Sequence, residues 1–144
     1  MDSKSIIAAV TGGIVFFILG YLFYAVLFAG FFESNVGSAT GYMKEMGDVN
    51  LLAIFLGSLA VAILLTIIFG SWANIRTFAA GAKAGAIFGL LVSLSWDLTL
   101  YGTTNAYNLT AALVDPIIGA VMVGITGGVI GMMLGRGTPK EAVA

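Results

Sequence analysis

Two carboxylic acids in strongly apolar surroundings are the residues with the clearest potential for chemistry. Asp97 interrupts one long apolar run, and Asp115 lies near the start of the next. An acid at the centre of a membrane helix costs about 2.5–3.5 kcal/mol on insertion scales, and such residues usually face the bundle interior. Tyr101 shares a helix face with Asp97, and Tyr21 and Tyr24 could reach the same level from the first apolar run. These five side chains are candidates for binding a ligand, a proton or a cation.

The same acids have a purely structural interpretation. Asp115 precedes Pro116, and Asp followed by Pro suits the N-cap and first position of a helix. Asp115 would then lie at the water interface, and Asp97 would only hydrogen-bond a neighbouring helix or turn. If the helix instead begins at Asn108, both acids lie roughly 10 Å below the membrane surface. The sequence leaves both interpretations open.

The composition excludes most catalytic chemistry. The chain has no cysteine and no histidine, so a disulfide, a thiolate nucleophile, a His-assisted triad and the usual zinc site are all excluded. We therefore predict no catalytic residue, no metal site and no cofactor. Proton chemistry would have to use Asp, Glu, Tyr or Lys. A net charge of −1 also argues against a nucleic-acid partner.

The composition is that of an integral membrane protein. Of the 144 residues, 60% are hydrophobic and 9% are charged, whereas a soluble domain keeps roughly a quarter of its residues charged. Four apolar runs are long enough to cross a bilayer, and they cover about residues 6–32, 51–70, 82–103 and 109–134. We predict one all-α domain over residues 1–144, a bundle of four transmembrane helices with membrane lipid around it.

The basic residues predict the orientation of this bundle. Four crossings place the N-terminus, the second loop and the C-terminal tail on one side. That side carries five of the six basic residues, and the other side carries only Lys44. The positive-inside rule therefore predicts a plasma (inner) membrane protein with both termini in the cytoplasm. A secretory signal is the alternative for the first run, which is longer than the apolar core of about 7–15 residues in such signals.

The fourth run carries small residues at spacings suited to helix packing. Gly124 and Gly128 lie four residues apart, as do Gly127, Gly131 and Gly135. Such glycines let helix backbones approach closely, and close packing replaces the hydrophobic drive that is missing in lipid. The stripes are compatible with packing inside the bundle and with a homo-oligomer contact, and the sequence does not separate the two.

A faint internal similarity divides the chain into halves. Residues 13–16 resemble residues 85–88, and residues 50–53 resemble residues 108–111. This pairing predicts two similar helical hairpins in parallel orientation. Chance similarity between apolar helices is the alternative.

Three short stretches also carry a family resemblance. They are residues 20–24 (GYLFY), 73–78 (ANIRTF) and 96–105 (WDLTLYGTTN). With them, nearly the whole chain resembles a family of small uncharacterised bacterial inner-membrane proteins grouped as a domain of unknown function. The resemblance implies a four-helix membrane bundle in a bacterium, and it implies no activity.

Three functions fit these observations. The first is a non-enzymatic bundle that acts by self-association or as an accessory subunit of a larger membrane complex, which the small size and the glycine stripes favour. The second is a small oligomeric transporter, or an ion- or small-molecule-binding protein, that uses an outward-facing pocket at Asp97 and Asp115. The third, an enzyme acting on lipid or quinone, has the least support because no nucleophile or metal constellation is present.

Overall fold

Long helices make up most of the chain. The computed structural model describes residues 2–137. Its α-helices are α1 (Ser3–Gly20), α2 (Ala29–Ser34), α3 (Leu51–Ile67), α4 (Phe78–Thr103) and α5 (Leu109–Gly135). The shorter elements are π-helical segments at Tyr21–Leu27 and Ile68–Trp72 and a 3-10 turn at Met46–Asp48. Four helices are long and apolar enough to cross a membrane, which confirms the all-α fold class.

Each of these four helices begins at a polar N-cap. The side chains of Asp2, Asn50, Thr77 and Asn108 accept a hydrogen bond from the backbone N–H three residues ahead, at 2.9, 3.0, 3.2 and 2.9 Å. Such a bond satisfies one of the free N–H groups at a helix start. Because Thr77 is a cap, α4 begins four residues before the predicted residue 82. Because Asn108 is a cap, Asp115 lies inside α5, and its interpretation as an N-cap is wrong.

The first crossing differs from the uninterrupted run expected over residues 6–32. The helix continues from α1 through the π-helical segment Tyr21–Leu27 and breaks at Phe28, whose φ is −114° and ψ is 9°. The short helix α2 follows the break. Likewise, the second crossing continues through Ile68–Trp72, so the loop expected over residues 71–83 shrinks to residues 73–77. The tail residues Pro139 and Lys140 lie outside the described residues.

The helices pair as two hairpins, α1 with α3 and α4 with α5. The central element is α5, because it also packs against α1. In its most apolar stretch of 18 residues, 61% of the residues are buried, against 17–22% in the corresponding stretches of the other crossings. The core between α1, α3 and α5 is apolar and includes Ala8, Leu65, Phe69, Ile130 and Leu134. The first hairpin therefore docks against one side of α5, and α4 covers the other side.

The contact between α4 and α5 is a seam of glycines. A Cβ atom on Gly89 would lie 2.5 Å from the carbonyl oxygen of Gly119, and one on Gly127 would lie 2.6 Å from that of Gly81. The predicted packing glycines of α5 all lie against α4 or against the two residues before it: Gly124 at Ala86, Gly127 at Gly81, Gly128 at Phe78, Gly131 at Thr77 and Gly135 at Arg76. Both glycine stripes of α5 are thus used inside the bundle.

Arg76 closes the bundle at one end. Its guanidinium donates to the carbonyl oxygens of Gly70 at 3.1 Å and Leu134 at 3.4 Å, and to Asn74 Oδ1 at 3.0 Å. A cation at the C-terminal ends of two helices satisfies free carbonyls and complements both helix dipoles. We call this end, where α5 finishes, the basic end, and the opposite end, where α4 finishes and α5 begins, the acidic end.

Candidate functional site: an acid pair beneath an aromatic cover

Asp97 and Asp115 meet at the acidic end of the bundle. Asp97 lies six residues before the end of α4, and Asp115 lies six residues after the start of α5. Because the two helices run antiparallel, these positions come to the same level. Asp97 is 2% exposed, and Asp115 is half-buried. Ser93 lies against Gly119, so one helical turn closer to the acidic end the two acids face each other across α4 and α5. The structure therefore brings the acids together at the common depth expected for a helix that begins at Asn108.

Tyr24 brings the first hairpin to this pair. Its hydroxyl donates to Asp115 Oδ1 at 2.6 Å. Tyr24 lies in the π-helical segment after α1, and π-helical turns inside longer helices are frequent at functional sites. Three chain segments that are distant in sequence thus supply one polar cluster inside an apolar bundle.

The second oxygen of Asp97 defines what the cluster can do. Among the described residues, no group hydrogen-bonds to this buried oxygen, Oδ2. A buried carboxyl oxygen without a partner costs free energy, and two ionised carboxylates in contact repel each other. A single positive charge between the carboxyls removes both costs. The arrangement is therefore suited to hold a proton or a small cation.

An aromatic cover separates the acid pair from the acidic-end surface. The ring of Phe32 lies 5.4 Å from that of Tyr24 and 6.3 Å from that of Tyr107, and Tyr42 packs edge-on against Tyr107 at 5.9 Å. Burial, helped by Tyr42 and the two acids, raises the pKa of Tyr107 to about 12. The hydroxyl of Tyr107 is thus neutral at physiological pH.

A short strap closes over this cover. Residues 35–39, which we call the strap, pair with the loop between α4 and α5. Gly37 N–H donates to Ala106 at 2.9 Å, Ala39 N–H to Asn105 at 3.0 Å, and Asn108 N–H to Asn35 at 3.2 Å. The side chains of Asn108 and Asn35 add a bond of 3.0 Å. Glycine is required in the strap because a Cβ on Gly37 would collide with the carbonyl of Asn105.

The other predicted site residues lie apart from the pair. Tyr21 is 60% exposed and Tyr101 is 44% exposed, and neither forms a side-chain hydrogen bond with another described residue. A π-helical turn is wider than an α-helical turn, so Tyr21 and Tyr24, three residues apart, do not share a face. Ser93 lies one turn inward of Asp97, with its hydroxyl against Gly119.

Several residues at the site were not predicted. Tyr107 lies in the loop between α4 and α5, Phe32 lies in α2, and Asn35 and Asn108 join the strap to that loop. No periodicity in the sequence indicates these contacts. Asn108 alone carries a signal, as the N-cap of α5. Within residues 2–137, no group of three or more acidic, histidine or cysteine side chains could hold a metal ion.

Comparison with family models, curated proteins and solved structures finds no match. The family resemblance of the sequence stays a prediction, and the function has to be inferred from the site itself.

Proposed function

We propose that this chain is an integral membrane protein that binds a proton or a small monovalent cation at the Asp97–Asp115 pair. The observation that carries the proposal is the meeting of two carboxyls inside the helical bundle, with Asp97 Oδ2 buried and without a described partner. Acids inside membrane helices are costly, and they typically mark ion pathways or proton relays. This favours the binding hypothesis over association through α5, because the glycines of α5 already pack against α4.

A purely structural role explains the pair less well. Asp115 is not a helix cap, because α5 begins at Leu109. No lysine or arginine side chain among the described residues hydrogen-bonds to either acid. A buried ion without an opposite charge is destabilising, and neutral side chains of similar shape would hold the same helices together at lower cost. Two acids at this point are best explained by a ligand that carries positive charge.

The acidic end is proposed to face the outside of a bacterial plasma membrane. Arg76 lies at the basic end of the described bundle, together with Lys4 and Arg136 near the chain termini. The positive-inside rule puts such residues in the cytoplasm. The acid pair is then open to protons and cations from outside, beneath the strap.

Infrared difference spectroscopy on protein in lipid nanodiscs tests the binding proposal. A protonated carboxyl in an apolar site gives a C=O stretching band that a carboxylate lacks. We expect this band in the wild type at neutral pH, its loss as the pH rises, and its absence in Asp97→Asn. Asp48→Asn, which removes an exposed acid from the first acidic-end loop, should leave the band unchanged.

The cation alternative is separated in the same experiment. If sodium or potassium binds instead, the carboxylate bands shift when one salt replaces the other at constant pH. If the spectra of wild type and Asp97→Asn coincide at every pH and in both salts, the acid pair binds neither ligand and the proposal is wrong.

Association with a partner is the second candidate, and one observation favours it. The least apolar crossing, α4, is also the least buried, with 17% of its most apolar window covered. Its exposed face includes Trp96, which is 65% exposed, and hydroxyl residues such as Ser95 and Thr99. Small and hydroxyl residues on an uncovered membrane helix suit a contact with another helix.

Cysteine cross-linking tests this second candidate, because the chain has no cysteine of its own. Ser95→Cys should form a disulfide-linked dimer in native membranes if α4 meets a second copy. Ile18→Cys, at an exposed position on α1, is the matched control. Equal cross-linking of the two variants would contradict a specific α4 contact.

A further inference from the structure

We propose that the acid pair exchanges its proton only with the acidic side, and that loss of this proton loosens the strap, so that the protein senses external pH and does not carry protons across the membrane. This inference rests on the proposed function and adds the direction of access and the element that responds. It is drawn from the packing on the two sides of the pair.

Toward the basic end, the seam closes the space between α4 and α5. Ser93 lies against Gly119 directly inward of the acids, and from there backbone meets backbone along the seam, with Gly89 at Gly119 and Gly85 at Val123. Protons cross proteins along chains of water or polar side chains. A seam in which even a Cβ atom would collide leaves no space for such a chain.

The opposite side of α5 is closed by apolar side chains. Met122 is 3% exposed, and Ile130 and Leu134 are fully buried. Thr126 is buried, and its hydroxyl has no hydrogen-bond partner among the described residues. It lies eleven residues from Asp115, about 16 Å along the helix, which is too far for direct proton transfer. The two other buried hydroxyl groups, both on α3, donate to carbonyls of their own helix. The described interior therefore offers the pair no inward route.

Toward the acidic end, the aromatic cover and the strap are the described segments that lie above the pair. Asp97 is six residues from the end of α4, about 9 Å along the axis. Tyr24 is 40% exposed and connects Asp115 directly to the surface. The titratable groups that face the acids are Tyr24 from the π-helical segment and Tyr107 from the loop, with Tyr42 behind Tyr107.

The strap is coupled to the pair through two contacts. Tyr24 bonds to Asp115 and packs against Phe32, which lies three residues before the strap. Tyr107 packs against Phe32 and stands between Ala106 and Asn108, which both hydrogen-bond to the strap. When the shared proton leaves to water, two adjacent carboxylates remain and repel each other. Their separation displaces Tyr24 and Tyr107, and the strap loses its support.

Hydrogen exchange of backbone amides in nanodiscs measures the opening of the strap directly. The reporters are the amides of Gly37, Ala39 and Asn108, and the reference is the capped amide of Ala53 at the same end. The intrinsic exchange rate changes with pH for all amides, so the ratio of reporter to reference isolates the opening of the strap. In the wild type we expect this ratio to rise about tenfold between about pH 5 and 9.

Two variants separate charge at the pair from charge elsewhere. Asp97→Asn keeps the shape of the side chain and cannot ionise, so its amide can donate to Asp115 and the ratio should stay low at every pH. Asp48→Asn removes one negative charge from an exposed loop position and should behave as the wild type. A strap that opens equally in Asp97→Asn contradicts the coupling.

Proton flux in liposomes with an imposed pH gradient and membrane potential tests the one-sided access. We expect the wild type to give no flux above protein-free liposomes. Flux that disappears in Asp97→Asn would overturn this inference and leave proton binding intact. Infrared spectra of the wild type and Asp97→Asn that coincide at every pH and in both salts would instead overturn the proposed function, so the two failures are distinguishable.

Discussion

The pair α4 and α5 is held together in different ways at its two ends. Toward the basic end, contact is made by backbone atoms, because glycines such as Gly81 and Gly131 leave nothing else at the surface of the helix. Toward the acidic end, α4 and α5 face each other with the carboxyl side chains of Asp97 and Asp115, and Tyr24 adds a hydrogen bond to Asp115 from the π-helical segment. Backbone contact depends only on shape, whereas the contact between acids depends on pH and ligand. The bundle thus combines a fixed half, packed by backbone atoms, with a half that contains ionisable side chains.

The largest expected effect lies in the fixed half. Gly81→Ala adds a Cβ atom that collides with the backbone of Gly127, so α4 and α5 must move apart. We expect a loss of about 2–3 kcal/mol in the free energy of unfolding, measured by denaturant titration in mixed micelles. Gly57→Ala is the control, because nothing lies within 4 Å of that position, and it should be neutral or slightly stabilising. Equal effects of both changes would contradict the seam.

A smaller loss is expected at the basic end. Arg76→Leu removes the donor to Gly70 and Leu134 and leaves two helix ends without their cation. We expect about 2 kcal/mol of destabilisation in the same unfolding titration, without any change in the infrared response of the acids. The exposed Arg136 provides the control, and Arg136→Leu should cost less than about 0.5 kcal/mol. If both substitutions lower the free energy of unfolding equally, Arg76 does not stabilise the helix ends.

The link between the two hairpins at the acidic end is expected to be weaker still. Tyr24→Phe removes the hydroxyl that donates to Asp115 at 2.6 Å, at a cost of about 1 kcal/mol. Tyr21→Phe should change nothing, because the Tyr21 side chain is 60% exposed. Thermal unfolding in nanodiscs compares the two. A larger effect at Tyr21 would show that the π-helical segment has a different register.

The smallest effect concerns Tyr107. Its pKa in the folded protein is raised to about 12, whereas a tyrosine in the unfolded chain has a pKa of about 10. As the pH rises from about 10 to about 12, the unfolded chain loses this proton first, so the free energy of unfolding falls across that window. Below this pH window, Tyr107 contributes fully to the free energy of unfolding. Tyr107→Phe should flatten this part of the stability curve, and Tyr101→Phe, at an exposed position, should leave it unchanged.

The sequence predicted the parts of this structure that depend on local chemistry. Long apolar runs predicted the four helices. A common depth for Asp97 and Asp115 was predicted only for a helix that begins at Asn108, and the N-cap interpretation of Asp115 was the alternative. Helix positions and residue depths can be predicted in this way because apolar length and helical rise per residue fix the level of a residue in the membrane.

The parts that were missed depend on tertiary contact. Gly81, Gly85 and Gly89 form the α4 side of the seam, and their regular spacing of four residues is a sequence signal for this contact. The π-helical segment that turns Tyr24 inward and Tyr21 outward has no such signal. The strap depends on backbone hydrogen bonds between two loops, which no side-chain pattern reports. Tyr101, which was predicted to share a face with Asp97, is exposed instead.

A double-mutant cycle with Asp97→Asn and Asp115→Asn tests the interaction of the two acids most directly. The free energy of unfolding of the wild type, both single variants and the double variant is measured in nanodiscs at several pH values. We expect a coupling energy of about 1–3 kcal/mol, with a magnitude that changes with pH as the shared proton is lost. Additive effects within about 0.5 kcal/mol at every pH would show that the two carboxyls do not act as a pair.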